Sequence, residues 1–383
     1  MAGGTGARFG AVLVLLCSLL VLAGVLGLSG SLGALLHPAA VAPEIVPVAG
    51  YTLENETVYT FPFGQGNETI RVRVDPAVYG GAKEADKAIY LYENFTREEW
   101  LPLYYRAFID DADQEPFYTA LLAEFRAIRD REGLDADRYL ELLVVFVQSI
   151  PYETDSLAVE PKFPVETFVD GRGDCDDKSL LLAALLAREG YGTALFSFEA
   201  EEHMAVGVNS TGCLWNGMPY AYIEATNVSY VGILPNELAD GTVLASAPIV
   251  VPVGNGTGAY ENCTEIEAIR NARDLAYARI LALAPLIDAR QAEYQALYVR
   301  LAELRAELDR LSTLADHQGY NALVPGYNAL LDEYKRSVDE YNRLIEESEA
   351  SIGLYNRIVL HAYDRPGTYR LVAEHLPEAL TPR

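Results

Sequence analysis

The sequence predicts an α+β protein with a membrane-spanning helix near its N-terminus and an antiparallel coiled-coil helical hairpin near its C-terminus. Three observations predict it. Residues 9–28 carry no charge; helical periodicity gives way to alternating strands in the middle of the chain; and heptad-spaced apolar residues fill roughly the last hundred positions.

The charge-free run, with the apolar residues that continue it to Leu36, is long enough as a helix to cross about 30 Å of hydrocarbon. Arg8 precedes this run and the nearest acid beyond is Glu44, an asymmetry that leaves residues 1–8 in the cytoplasm and exports the remainder. The expected anchor is 9–36, and the expected location is the cell membrane with the main domain outside. A cleaved signal peptide is the alternative, but the run exceeds the ~7–15 apolar residues such peptides carry. Cys17 is a membrane-helix cysteine on this reading, since Leu16 is too large for a lipoprotein cleavage site.

Export makes Asn-x-Ser/Thr glycosylation acceptors usable. Seven of the fourteen asparagines carry the tripeptide: Asn55, Asn67, Asn94, Asn209, Asn227, Asn255 and Asn262. Chance would supply roughly one or two. A formal charge of −26 argues against nucleic acid as a partner, because phosphate binding needs an excess of lysine and arginine. Half of the residues are apolar, ample for a packed core.

Residues 37–96 open with a proline- and alanine-rich spacer, and "YTLENETVYTFPFGQGNETIRVRV" then alternates around a Gly-Gln-Gly turn, as a hairpin does. Residues 97–260 form the main domain. Its first part is helical, with Trp100, Leu103, Tyr104, Ala107 and Phe108 on one face and Tyr139, Leu142, Leu143, Phe146 and Val147 on another, ended by Pro151. Three alternating runs, 191–199, 203–209 and 219–226, read as strands of one antiparallel sheet.

Residues 261–358 form the coiled coil. Ile280, Leu283, Ile287, Tyr294, Leu297 and Leu301 start one seam; Tyr320, Tyr327, Tyr334 and Tyr341, seven apart, start the other. Gly319, Pro325 and Gly326 are expected at or near the turn between them, and Pro285 is expected to kink or start the first long helix. The recurrent Tyr-Asn pairs are coil core and flank on this reading, and self-association through the coil is an expected partner mode. Residues 359–383 are a C-terminal tail.

The chemistry concentrates in "FVDGRGDCDDKSLLLAALLAREG", residues 168–190. Asp174 is placed to N-cap a helix and Asp177 to complete a capping box, which makes Cys175 the first helical residue. The helix dipole and unpaired N–H groups favour thiolate there, while three carboxylates oppose it. An imidazole is therefore needed. Of five histidines, His203 alone begins a strand able to pack on the cysteine helix, and Glu224 on the next strand can orient its ring. Gln148 and Tyr152 are weaker candidates for stabilising an oxyanion. Cys213 and Cys263 are candidates for a disulfide, with two free thiols as the alternative. No zinc or calcium spacing is present, so no metal and no cofactor are expected.

These residues, with "FVQSIPYETD", "EHMAVGV" and "YAYIEAT", resemble the transglutaminase-like superfamily of papain-like fold, in particular its prokaryotic cysteine-peptidase-like members. The resemblance covers about residues 140–240. It implies a cysteine helix packed on an antiparallel sheet, with Cys175 as nucleophile, His203 as general base and Glu224 as orienting acid. The family usually has aspartate in the last role, so glutamate here changes reach while keeping charge; the tryptophan that animal transglutaminases use near the oxyanion has no counterpart. The implied activity is acyl transfer or hydrolysis at an amide of a peptide or protein. A catalytically silent binding module carrying a coiled-coil arm for scaffolding or oligomerisation is the alternative.

Overall fold

The computed structural model describes residues 39–153, 160–235, 237–238 and 241–380. The anchor expected at 9–36, with Cys17, lies outside these residues. Among the described residues no helix is long and apolar enough to cross a membrane.

The expected α+β class holds. After a two-residue strand β1 (Ala40–Val41), β2 (Thr57–Phe63) and β3 (Gly66–Val72) form the hairpin, turning at Gly64 and Gln65. Its inward residues Phe61, Phe63, Ile70 and Val72 are buried, with Phe61 against Phe125 and Phe146. Helix α1 (Pro76–Glu84) and the short strand β4 (Tyr90–Leu91) follow, and β4 pairs with β1.

Three helices then form where the sequence suggested two faces: α2 (Arg97–Asp110), α3 (Glu115–Glu132) and α4 (Ala136–Ser149). Helix α2 starts at a Thr96/Glu99 capping box, and α3 stops at Gly133 with φ 62°, a left-handed position that glycine adopts without strain. On α2 the expected apolar face is corrected. Leu103 is exposed, while Leu101, Tyr105, Phe108 and Ile109 are buried, because the helix is covered from a side rotated toward the cysteine helix. Helix α4 is buried nearly all round and ends before Pro151, as the pre-proline restriction requires.

Helix α5 (Pro164–Asp170) leads into the cysteine helix α6 (Cys175–Arg188), whose residues 180–186 have no exposed surface. It packs on a four-stranded antiparallel sheet of order β7-β6-β5-β8, made of β5 (Gly192–Phe198), β6 (His203–Asn209), β7 (Tyr220–Ile223) and β8 (Ile249–Asn255). The fourth strand was not anticipated. It contains Pro252 and pairs on one side only, the edge position where a strand tolerates proline.

Helices α7 (Cys263–Thr313) and α8 (His317–Leu360) form the hairpin arm, and α9 (Arg365–His375) closes the chain. Leu297, Leu301 and Leu330 form a small core along the arm, flanked by Tyr327 and Tyr334. One expectation about breakers is corrected and another narrowed. The turn is residues 314–316, where Ala315 has φ 56° and Asp316 caps α8, whereas Pro325 and Gly326 lie inside α8; Pro285 lies inside α7 and does not start it. The cap and the continuity of the seam decide the turn. Gly319 belongs beside it, since a Cβ there would stand 2.6 Å from Asp316 Oδ2.

A single core runs from Ile45 to Ala379, so the hairpin region, the main domain, the base of α7 and the C-terminal helix share one interior. The stretch read as a tail is built into it. Arg365, 4% exposed, donates to Glu141 at 2.5 Å and to Glu265, joining α9 to α4 and α7. Cys213 and Cys263 are joined in a disulfide that ties the loop after β6 to the start of α7.

Candidate active site

Cys175 opens α6. Asp174 Oδ1 accepts from the N–H groups of Asp176 (3.1 Å) and Asp177 (3.2 Å), and Asp177 Oδ2 accepts from Asp174 N–H (3.3 Å). Two of the three carboxylates are thus occupied in building the helix start. The Cys175 N–H takes no part in the cap. Asp177 is further held by Lys162, whose main-chain N–H donates to it at 2.7 Å and whose ammonium lies 3.2 Å away.

The third carboxylate meets the thiol. Cys175 Sγ donates to Asp176 Oδ1 at 3.2 Å and lies 3.8 Å from the carbonyl of Glu202. Burial, then the charge of Asp176, push the thiol well above its ordinary range, and the Met204 N–H that bonds to the sulfur works the other way. The resting sulfur is therefore a neutral thiol. Its contacts with Glu202 and Met204 are with the residues on either side of His203, which places it against the start of β6.

His203 and Glu224 are both nearly buried, at 8% and 3% exposed. His203 Nε2 lies 3.0 Å from Glu224 Oε2. The same oxygen accepts from Tyr222 hydroxyl at 2.7 Å, while Oε1 accepts from the Thr226 N–H at 3.0 Å and its hydroxyl at 2.7 Å. Burial alone would raise this carboxyl, but the hydrogen bonds and His203 prevail and hold it below its usual range. An ionised Glu224 accepts from Nε2–H, which fixes the tautomer that leaves Nδ1 with a lone pair. That nitrogen can take a proton.

His203 forms part of the wall of a cleft of about 310 Å³, together with Tyr152, Glu201, Glu202, Thr226, Asn227 and Leu238. Cys175 is not among the lining residues; it is 7% exposed, and its sulfur meets the main chain on either side of His203. Tyr152 is half exposed and pairs with Gly173, two residues before the cysteine. Gln148 is not an oxyanion donor. Its amide nitrogen donates to the carbonyls of Glu224 (2.7 Å) and Ser229 (3.1 Å), which anchors the acid's backbone to α4.

Sequence reasoning missed Lys178. One turn along α6 from the cysteine, it has no exposed surface, and its ammonium donates to the carbonyls of Gln148 (3.2 Å), Ile150 (2.6 Å) and Thr226 (3.1 Å). It caps the C-terminal end of α4 from outside and ties it to the loop that holds Glu224. The available signal was a lone cation in an otherwise apolar helix face.

Asp174, Cys175 and Asp176 are the one group among the described residues whose donor atoms fall within metal-binding reach, 4.8 Å of one another; Asp174 spends Oδ1 on the cap. Of the seven glycosylation candidates, Asn55, Asn67, Asn94, Asn227 and Asn255 are exposed. Asn209 is half-buried with its side chain against Gly192, and Asn262 donates its amide to Asp137 at 2.6 Å, so the latter does not present a free amide.

Burial, then Asp177 and Asp176, raise the Asp174 carboxyl to about 6. A raised carboxyl stabilises the fold at low pH and loses that contribution as pH rises through about 6. Asp174→Asn keeps the cap and removes the titration. It is expected to raise stability at pH 7.5 by about 1 kcal/mol after allowance for partial exposure and to leave it unchanged near pH 4, as thermal melts across pH 4–8 would record. Equal shifts at both ends would contradict the assignment.

Comparison with family models, curated proteins and solved structures finds no match for this chain.

Proposed function

We propose that the chain is a membrane-anchored, extracytoplasmic thiol enzyme with a papain/transglutaminase-like core, acting on an amide of a peptide or protein. One observation carries the reading: an imidazole at the start of a strand packed against the cysteine helix, fixed by a four-times hydrogen-bonded carboxylate just past the end of the neighbouring strand. Each group stands in the element that its role requires.

In the reaction, His203 Nδ1 takes the proton from Cys175 Sγ as the sulfur attacks the amide carbon, and the carbonyl electrons move to oxygen near the Cys175 N–H. Collapse expels the amine, which receives the proton from the imidazolium and leaves a thioester. Water or a second amine then attacks that thioester, giving hydrolysis or transfer. Glu201 and Glu202 on the cleft wall favour neutral or basic substrates. The charge-free run at 9–28 and the five exposed asparagine acceptors support the extracytoplasmic placement.

A neutral thiol hydrogen-bonded to Asp176 favours one rival, a silent binding module. Alkylation of Cys175 by iodoacetamide in the full chain, followed by mass spectrometry, separates the two. The enzyme reading expects His203→Ala to slow alkylation at pH 7.5 at least tenfold; an unchanged rate would leave the binding module.

A further inference from the structure

The arm carries a second apolar stripe that its own hairpin covers only in part, with Leu331 packed against the edge of the hairpin's core. On α8, Leu330, Ser337, Leu344, Ser351 and Ile358 are the buried positions at heptad spacing. The next residue in each heptad gives Val324, Leu331, Val338, Ile345, Ile352 and Val359, six aliphatic residues seven apart. The first four are half-buried, and Ile352 and Val359 are 41% and 43% exposed. At about 100° per residue this stripe lies a quarter-turn round the helix from the hairpin's seam.

Charge is sorted around the same helix. Asp332, Glu333, Asp339, Glu340, Glu346 and Glu347 occupy the next two heptad positions, about 100° and 160° away from the stripe. The stripe is bordered instead by the Tyr-Asn pairs, and within α8 Glu349 is the one acid on that side. Tyr334 and Tyr355 also meet Tyr298 and Tyr277 of α7, themselves 60% and 50% exposed. The Tyr-Asn repeat therefore marks the neutral side of the arm.

We infer that this side binds a second copy of the chain, stripe against stripe, to form a four-helix bundle between two arms. A chain of net charge −26 repels its own kind except where acids are absent, and an acid-poor stripe on each copy is self-complementary under a two-fold axis. Residues 324–359 span about 53 Å at 1.5 Å per residue, and two helices side by side are about 20 Å wide. That face offers about 1,000 Å² per copy, above the ~800 Å² a stable partner interface needs. An aliphatic stripe at strict heptad spacing, β-branched at all positions but Leu331, is the pattern that packs helix on helix.

The test is the protein mass of the full chain in detergent micelles at about 10 µM, measured by light scattering corrected for detergent. The wild type is expected at two copies. Ile352→Glu with Val359→Glu is expected to halve the mass while leaving helix content and melting temperature unchanged, and Ala350→Glu on the charged side is expected to leave two copies. A single-copy wild type, or a dimer that survives the double substitution, overturns the inference.

Discussion

Glu224→Gln is expected to keep the fold and to lose most of the thiol chemistry, lowering alkylation of Cys175 at pH 7.5, or turnover of an amide substrate, by about 10²–10⁴-fold. The carboxylate accepts four hydrogen bonds, from His203, Tyr222 and Thr226, the last twice. A carboxamide of the same size must point its NH₂ at one pair of these partners. The Thr226 N–H can only donate, so the carbonyl oxygen turns toward Thr226 and the NH₂ toward His203 Nε2. That nitrogen must then accept, which moves the ring proton to Nδ1, the atom that has to receive the thiol proton. The base is blocked by its own tautomer. Because the thiol is held neutral by burial and by Asp176, no preformed thiolate compensates. Near-unchanged melting with collapsed reactivity is the expected pair of results. Wild-type reactivity in Glu224→Gln would show that the ring does not act as the base.

The site was legible in the sequence to the extent that its signals are local. Asp174, Cys175 and Asp177 lie within four positions, and capping geometry is set by spacing alone. The strand that His203 begins and the one that ends just before Glu224 alternate cleanly, and the scarcity of histidine left one choice. What stayed hidden depends on contacts distant in the chain. The acceptors of Lys178 lie 28, 30 and 48 positions away, and Gln148 is consumed by carbonyls 76 and 81 positions on. Proline misled in both directions. Pro252 hid an edge strand, and Pro325 suggested a turn where a long helix absorbs one missing N–H inside a two-helix seam. The C-terminal helix went unread because its anchor is the pairing of Arg365 with Glu141, 224 positions earlier.

The largest stability effect is expected at Lys178. Gln148 and Ile150 stand at the end of α4, where helix carbonyls lack intrahelical partners, and the ammonium satisfies both together with the Thr226 carbonyl. Lys178→Met fills the space but leaves three buried acceptors unpaired, at about 1–3 kcal/mol for each such group; a loss of about 3–5 kcal/mol is expected, read from chemical denaturation at pH 7. Thr226 loses its anchor as well, so Cys175 alkylation should fall with stability. The pH dependence identifies the cause. Burial lowers the Lys178 ammonium from its ordinary 10.5 to about 8, with Glu224 pulling the other way. Between those values the unfolded chain binds more protons at this residue than the folded one, so this lysine's contribution to stability rises with pH from about 8 toward 10.5. The wild-type advantage over Lys178→Met should therefore widen between pH 8 and pH 9.5. A loss below about 1 kcal/mol, or an advantage that shrinks over that interval, would mean that the three carbonyls find water or other donors and that the ammonium does not hold the acid's loop in place.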